Sequence, residues 1–231
     1  MKISIIVPVY NEEKTLAEIV RRVQAVALDG LEREIIIVND GSSDGSSAIM
    51  EELRASFPHQ IRTYHMPTNL GKGSAVRVGL RLAQGDILLI QDADLELDPV
   101  SYPDLIAPLL DGSADVVYGS RFLRGRPPMP ALTRLANLGL ALLTTLLYWT
   151  RLTDMETGYK VFRRQALEGI TLRCANFDIE PELTAKLLKA RRRLVEVPVT
   201  YRPRSVREGK KICLRDAFDA VYTLLKYRVF D

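Results

Sequence analysis

Three apolar runs, ISIIVPVY, EIIIVND and DILLIQD, each end on polar or turn-forming residues and are separated by stretches with helical spacing. Runs of this length, rich in Ile and Val and without alternating polar positions, read as strands buried on both faces. Between the first two, Glu12 to Ala27 carries Leu16, Ile19, Val20 and Val23 on one stripe, the mark of an amphipathic helix. GSSDGS supplies capping residues for a second helix running to about Ser56, IRTYHM is a short third strand, and Gly71 to Ala83 is a third helix. Tyr102 to Leu110 is helical and ADVVYGS is a fifth strand. This β-α-β-α order predicts an α/β fold, a mostly parallel Rossmann-like sheet with helices on both faces. Ligands of such sheets bind outside the carboxyl ends of the strands. Pro8 and Tyr10, Asn39 and Asp40, and Asp92 and Asp94 all fall at those ends.

The second half reads less regularly. RGRPPMP is a loop, and Leu135 to Thr150 is an uncharged apolar helix of 16 residues. A spanning helix needs roughly 20 predominantly apolar residues. This one also contains Asn137, Thr144 and Thr145, so a buried or interfacial helix is expected. Pro181 to Ala190 is helical, LVEVPVTY is strand-like, and a basic loop precedes a last helix from Leu214. KISIIVPVY at the start reads as a strand, without the apolar core and cleavage site of a signal peptide. The 231 residues fit a single domain. Cys174 and Cys213 match no metal or redox spacing, and a reducing cytosol is the simplest compartment for them.

The net charge of +3 conceals a split. Residues 1 to 115 hold 10 basic and 18 acidic side chains, and residues 116 to 231 hold 22 and 11. From Val116 to Thr153 there are five arginines and no acid. An anionic partner on the C-terminal half follows from this asymmetry.

QDADLELDP places Asp92, Asp94, Glu96 and Asp98 directly after a buried strand. Asp92 and Asp94 are two apart and point the same way in an extended segment. Hard cations such as Mg²⁺ take one or two carboxylates and complete their shell with water and phosphate. A metal or nucleotide contact is therefore expected at Asp92 and Asp94 and considered at Glu96, the alternative being a solvated turn. Asp98 before Pro99 reads as a helix entry. The first strand runs into PVYNEE without glycine, GKGSAV has two of the three glycines of a dinucleotide fingerprint and follows the third strand, and no P-loop pattern occurs. These absences argue against an NAD enzyme and a P-loop kinase.

VPVYNEE, NDGSSDGS, NLGKGSA, QDADLELDP, GSRF, DMETGYKVF, FDIEPEL and VPVTYRPRSVREGKKI together resemble family 2 glycosyltransferases of the GT-A fold. The nearest resemblance is to the polyprenyl-phosphate (dolichyl-phosphate) mannosyl- and glucosyltransferase branch. The resemblance implies one GT-A domain over residues 1–231, with a nucleotide-sugar half at 1–120 and an acceptor half with interfacial amphipathic helices at 121–231. Pro8, Tyr10, Glu12, Val38, Asp40, Asp92, Ala93 and Asp94 would bind the nucleotide. Asp94 and Glu96 would hold Mg²⁺ or Mn²⁺, Glu96 standing where the mannosyltransferases often have Gln. The acceptor would be a lipid monophosphate, gripped by Arg121, Arg134, Arg204, Lys210 and Lys211.

Asp94, Arg121 and Asp154 are the implied catalytic residues, Asp154 matching an aspartate that faces the sugar end. A helix cap is the alternative for Asp154, and Glu182 is a weaker candidate of the same kind. Arg202 and Arg207 join the basic loop, where a solvated or lipid-facing surface is the alternative, whereas Arg191, Arg192 and Arg193 suit a helix C-terminus. GDP-mannose is the first donor by resemblance and UDP-glucose the second. A glycan or protein hydroxyl as acceptor would instead require a general base, with Asp154 in that role. A peripheral position on the cytoplasmic face of a membrane follows, with a membrane-anchoring partner protein as a further possibility and no nucleic acid as a partner.

Overall fold

The computed structural model describes residues 1–204 and 214–230, with the side chains of 214 and 215 outside the description. Seven strands form one sheet: β1 (Lys2–Val9), β2 (Glu32–Asn39), β3 (Ile61–His65), β4 (Ile87–Ile90), β5 (Val116–Ser120), β6 (Lys160–Arg163) and β7 (Leu194–Pro198). Their order is β3-β2-β1-β4-β6-β5-β7. The β1–β2, β2–β3, β1–β4 and β5–β7 pairs are parallel, and β6 runs antiparallel between β4 and β5. The helices are α1 (Leu16–Ala25), α2 (Ser46–Ser56), α3 (Lys72–Leu82), α4 (Tyr102–Leu110), α5 (Ala131–Tyr148), α6 (Ile179–Lys189) and α7 (Leu214–Val229).

Successive strand residues point to opposite faces, and each face has its own core. Ile3, Ile5, Val7, Ile35, Ile37 and Leu89 pack with α1 and α4, whereas Ile6, Ile36, Val38, Leu88 and Ile90 pack with α3 and α6. The α1 stripe of Leu16, Ile19, Val20 and Val23 is fully buried. Each such side chain contributes about 1.5–3 kcal/mol by leaving water. A third, smaller cluster joins Leu140 of α5 to Ala220 and Leu224 of α7 over Met155.

Several boundaries shift from expectation for local reasons. α1 begins at Leu16 because Asn11 takes a left-handed φ of 52° and the Glu12 N–H bonds the Ser46 hydroxyl, which holds residues 11–15 in turns. β4 ends at Ile90; the Gln91 N–H still reaches the Ile6 carbonyl, and Asp92 then leaves the sheet. α5 starts at Ala131, directly after Pro130, and stops where Trp149 turns left-handed at φ 56°. Asp98 caps a short 3-10 turn over Pro99–Ser101, its side chain accepting from the Val100 N–H. Within DMETGYKVF the final KVF opens strand β6, with Lys160 fully buried there.

Candidate active site

A cavity of about 660 Å³ opens at the carboxyl ends of β1, β2 and β4. Pro8 lines it from the end of β1, Tyr10 and Glu12 after β1, Asp40 after β2, and Asp92, Ala93, Asp94 and Glu96 after β4. Arg121 and Arg204 line it from the C-terminal half, together with Leu132, Asn137 and Leu140 of α5 and Asp216 and Ala217 of α7. Thus most of the residues the sequence marks for the nucleotide share one hollow. Val38 does not; its side chain is buried in the core on the α3 side of the sheet. Arg134 and Asp154 also lie outside the lining. Lys210, Lys211 and Arg207 fall outside the described residues.

The NLGKGSA turn is pinned beneath this cavity. Asp40 accepts from the backbone N–H groups of Leu70 (2.8 Å) and Gly71 (2.9 Å). Gly71 has φ +95°, and a Cβ there would overlap the Asn176 side chain and the Ala175 carbonyl. Lys72 follows as the first residue of α3, and its ammonium reaches Asp92 Oδ1 at 2.7 Å and Glu180 Oε1 at 3.0 Å. The other oxygen of Glu180 takes the ammonium of Lys160 at 2.5 Å. Burial acts against the Lys72 charge, yet Asp92 and Glu180 together hold its pKa above the ordinary lysine value. Gly158 is a spacing requirement of the same network, because a Cβ there would overlap Asp92 Oδ2.

The carboxylates after β4 gather around a single guanidinium. Arg204 Nη2 lies 2.8 Å from Asp94 Oδ2, Nη1 lies 3.0 Å from Glu12 Oε2, and Nε lies 3.7 Å from Glu96 Oε1. The Arg204 backbone N–H also donates to Glu96 Oε1 at 2.8 Å. Burial, with Asp92 nearby, raises the Asp94 pKa to about 7 against the opposing pull of Arg204. Surplus negative charge of this kind is relieved by a cation. Among the described residues no three His, Cys, Asp or Glu side chains converge on one point. Asp94 and Glu96 nevertheless form a hard, all-oxygen pair, which suits Mg²⁺ or Mn²⁺ when phosphate and water complete the shell.

Arg121 is held differently. Its Nε and Nη2 meet both oxygens of Asp154 at 2.7 Å, its backbone N–H donates to Asp154 Oδ2, and Nη2 also donates to Asn137 Oδ1. Asp154 is fully buried, so it fixes Arg121 from behind and is no helix cap. Burial opposes the Arg121 charge, and Asp154 raises its pKa nonetheless. Glu196 in turn accepts from the Thr153 and Asp154 N–H groups, orienting the loop that carries Asp154.

Sequence reasoning passed over Lys72 and Glu180, and it gave no site role to Asn137 or to Glu156, which stands out beside Asp154 in an acid-poor half. It weighed Glu182 instead of Glu180. Two residues along a helix is a rotation of roughly 200°, so only one of the pair faces the cavity. Glu182 turns to the backbone N–H groups of Arg173 and Cys174 and to Lys186. The signal for Lys72 and Glu180 was present in NLGKGSA and FDIEPEL, where each is the charged residue nearest the start of a helix. Glu156 lines the cavity beside them, and burial pushes its pKa up to about 7.

Over 216 residues the chain is 32% identical to a dolichol-phosphate mannosyltransferase of Pyrococcus furiosus, covering 91% of this chain and 59% of that protein. It is 29% identical over 247 residues to a UDP-N-acetylglucosamine–dolichyl-phosphate N-acetylglucosaminyltransferase of Methanococcus voltae, covering 98% of this chain and 96% of that one. Crystalline glucosyl-3-phosphoglycerate synthase of Mycobacterium tuberculosis, in complex with Mn²⁺, UDP and glucosyl-3-phosphoglycerate, matches with a TM-score of 0.73. That match covers 100% of this chain and 81% of the synthase at 22% identity, a likeness of fold. The sheet and its helices are those of a GT-A glycosyltransferase. The family model for glycosyl transferase family 2 matches residues 4–171, from β1 through the Asp92–Asp98 segment and past β6, and the chain belongs to that family of glycosyltransferases.

Proposed function

We propose that this glycosyltransferase moves a hexose from a nucleoside diphosphate sugar to the phosphate of a polyprenyl monophosphate of the dolichyl type, with inversion at the anomeric carbon. GDP-mannose is the first expected donor and UDP-glucose the second. The observation that carries the reading is one cavity lined at once by the Asp92–Glu96 carboxylates, by Arg121, and by leucines of α5. A diphosphate, a second phosphate and an apolar chain each find a matching part of that wall. Dolichyl phosphate is named in two of the relatives, and Mn²⁺ with UDP in the structural neighbour.

Asp94 and Glu96 would hold Mg²⁺ or Mn²⁺, which supplies charge neutralisation to the diphosphate leaving group as the anomeric C–O bond breaks. Pro8, Tyr10, Glu12, Asp40, Asp92 and Ala93 frame the nucleotide around them. Val38 supports that frame from the core. Arg121 Nη1, which donates to no described residue, is left to grip the acceptor phosphate. Asp154 acts as a positioning residue through Arg121. With a cation held by Asp94 and Glu96, the Arg204 guanidinium would be left to bind the same phosphate, with Arg134, Lys210 and Lys211 as further cations. The lipid phosphate is largely dianionic near pH 7, so it attacks without a general base. A hydroxyl acceptor is the weaker reading, because Asp154 is sealed from the cavity with both oxygens committed to Arg121.

Residues 1–120 thus serve the donor and residues 121–231 the acceptor, within one GT-A domain. α5 is 18 residues with a mean hydropathy of 1.3, long and apolar enough by composition to cross a membrane. Its Leu140, Ala141 and Thr144 are buried toward the body, while Leu135, Leu142, Leu146 and Trp149 are exposed. α7 exposes Phe218, Tyr222 and Val229. One face packed and one face bare suits a helix lying in the headgroup region, on the cytoplasmic side, with or without a membrane-anchoring partner. A donor screen with Mn²⁺ and a short polyprenyl phosphate tests the whole reading. Lipid-linked hexose is the expected product, and transfer to water or sugar hydroxyls alone would refute it.

A further inference from the structure

Among the described residues, Glu156 is the one carboxylate of the cavity wall with a buried oxygen that no donor answers. Oε1 is buried without a hydrogen-bond partner among the described residues. Lys160 and Arg121 are the cations whose charge acts on it, and neither donates to Oε1. The Lys160 ammonium has three protons, and they go to the Met155 carbonyl (2.9 Å), the Thr157 carbonyl (2.6 Å) and Glu180 Oε2 (2.5 Å). Arg121 turns its Nε and Nη2 to Asp154 and Asn137. Glu156 therefore forms no salt bridge with either, and its backbone neighbours Thr157 and Gly158 are fixed by the Gly119 carbonyl and by the close approach of Asp92. A buried acceptor without a donor costs about 1–3 kcal/mol. Such a cost is retained where a ligand supplies the missing donor.

We propose that Glu156 reads the donor sugar, its carboxyl group turning so that the oxygen left unpaired in the empty site accepts a hydrogen bond from one ring hydroxyl of the hexose. The inference rests on the transfer reading given above and adds to it the residue that selects among hexoses. Glu156 shares the cavity wall with Asp92, Asp94 and Arg121, so a sugar attached to a diphosphate at Asp94 and attacked from Arg121 lies within the space these side chains enclose. The Lys72–Asp92–Glu180–Lys160 network flanks this region with two cations and two carboxylates, each paired. A fully paired network has no donor to turn toward Glu156 when the site is empty. A hexose hydroxyl supplies one without disturbing it. Sites built to pair a substrate hydroxyl reject the analogue that lacks it, because the protein group is then left buried and unpaired.

The test compares a nucleoside diphosphate hexose with its 2-, 3-, 4- and 6-deoxy analogues, in wild type and in Glu156→Gln and Glu156→Ala, with Mn²⁺ and a short polyprenyl phosphate. In wild type, loss of one particular hydroxyl should lower kcat/KM by about tenfold or more. In Glu156→Ala that same deoxy donor should be used as well as its parent, so the discrimination at that position disappears while it persists at the others. Affinity for the bare nucleoside diphosphate with Mn²⁺ should stay within about twofold, a readout that general damage to the fold would move. The isosteric Glu156→Gln, which keeps one acceptor oxygen, should fall between the two. Unchanged discrimination at every hydroxyl in both variants overturns the inference alone. A wild-type protein that transfers no hexose from any nucleoside diphosphate sugar overturns the functional reading and this inference together.

Discussion

Two arginines enter the same cavity and are held in opposite ways. Arg121 meets one carboxylate, the fully buried Asp154, through two parallel contacts. Arg204 meets three, Glu12, Asp94 and Glu96, so one positive charge faces three carboxylates. The first pair is balanced and leaves the Nη1 edge of a rigid guanidinium for an incoming phosphate. The second carries surplus negative charge, and its carboxylates remain available to a stronger cation. Balance marks a positioned tool and imbalance marks a binding site. The difference also separates the two halves of the chain, since Glu12, Asp94 and Glu96 belong to the acidic N-terminal half and both arginines to the basic C-terminal half.

The comparison breaks most visibly at Asp94. Asp94→Ala removes a carboxylate from the unbalanced site and should cut transfer by about 10²–10³-fold. Its melting temperature should stay near that of wild type, because Asp94 sits in a charge-crowded position whose loss relieves repulsion. Arg121→Lys comes next. Lysine cannot reproduce the forked contact to Asp154, so kcat/KM for the polyprenyl phosphate should fall about 10–100-fold with donor affinity nearly constant, read by varying each substrate in turn. Arg204→Gln sharpens the contrast by a smaller effect in the other direction. Without the internal guanidinium, the carboxylates should bind Mn²⁺ several-fold more tightly in the absence of nucleotide, measured by the loss of the free-ion electron paramagnetic resonance signal. Equal or weaker Mn²⁺ binding would show that Arg204 does not compete for that site.

The smallest expected effect is on the pH dependence of stability. Burial raises the Glu156 pKa from the ordinary carboxylate value to about 7. Between those two values the native state holds a proton that the unfolded state has released. Its contribution to stability therefore declines as pH rises toward 7 and is fully present below the unfolded value. Glu156→Gln, which cannot ionise, should be more stable than wild type above pH 7 and lose that advantage as pH falls toward 4.5. Denaturant midpoints at several pH values give the difference directly, and a pH-independent difference would mean that the carboxyl is not buried as described.

Much of the fold was legible because parallel strands buried on both faces leave long apolar runs. ISIIVPVY and EIIIVND have no plausible alternative once the α1 stripe follows at helical spacing. β6 was harder to see: four residues, two of them basic, carry little strand signal, and the buried Lys160 is answered by Glu180 from α6 and by the Met155 and Thr157 carbonyls. The same reason limited the site. Carboxylates clustered in sequence, such as Asp92 to Glu96, announce themselves. The partners that give them meaning come from far along the chain, Lys72 and Glu180 for Asp92, and Arg204 for Asp94 across a separation of 110 residues. Arg204 looked like a phosphate ligand in a basic loop, and nothing in that loop indicates that its side chain lies among the carboxylates at the opposite side of the cavity.

The central claim is that Asp94 and Glu96 take up a divalent cation together with the diphosphate of a sugar nucleotide. Calorimetric titration of GDP and of UDP into the protein, with Mn²⁺ and then with excess EDTA, tests it most directly. The account predicts saturable binding of at least one nucleotide with Mn²⁺, at least tenfold weaker binding in EDTA, and no Mn²⁺ enhancement in Asp94→Ala. Equal affinity with and without the metal, or a metal enhancement that survives in Asp94→Ala, would contradict it.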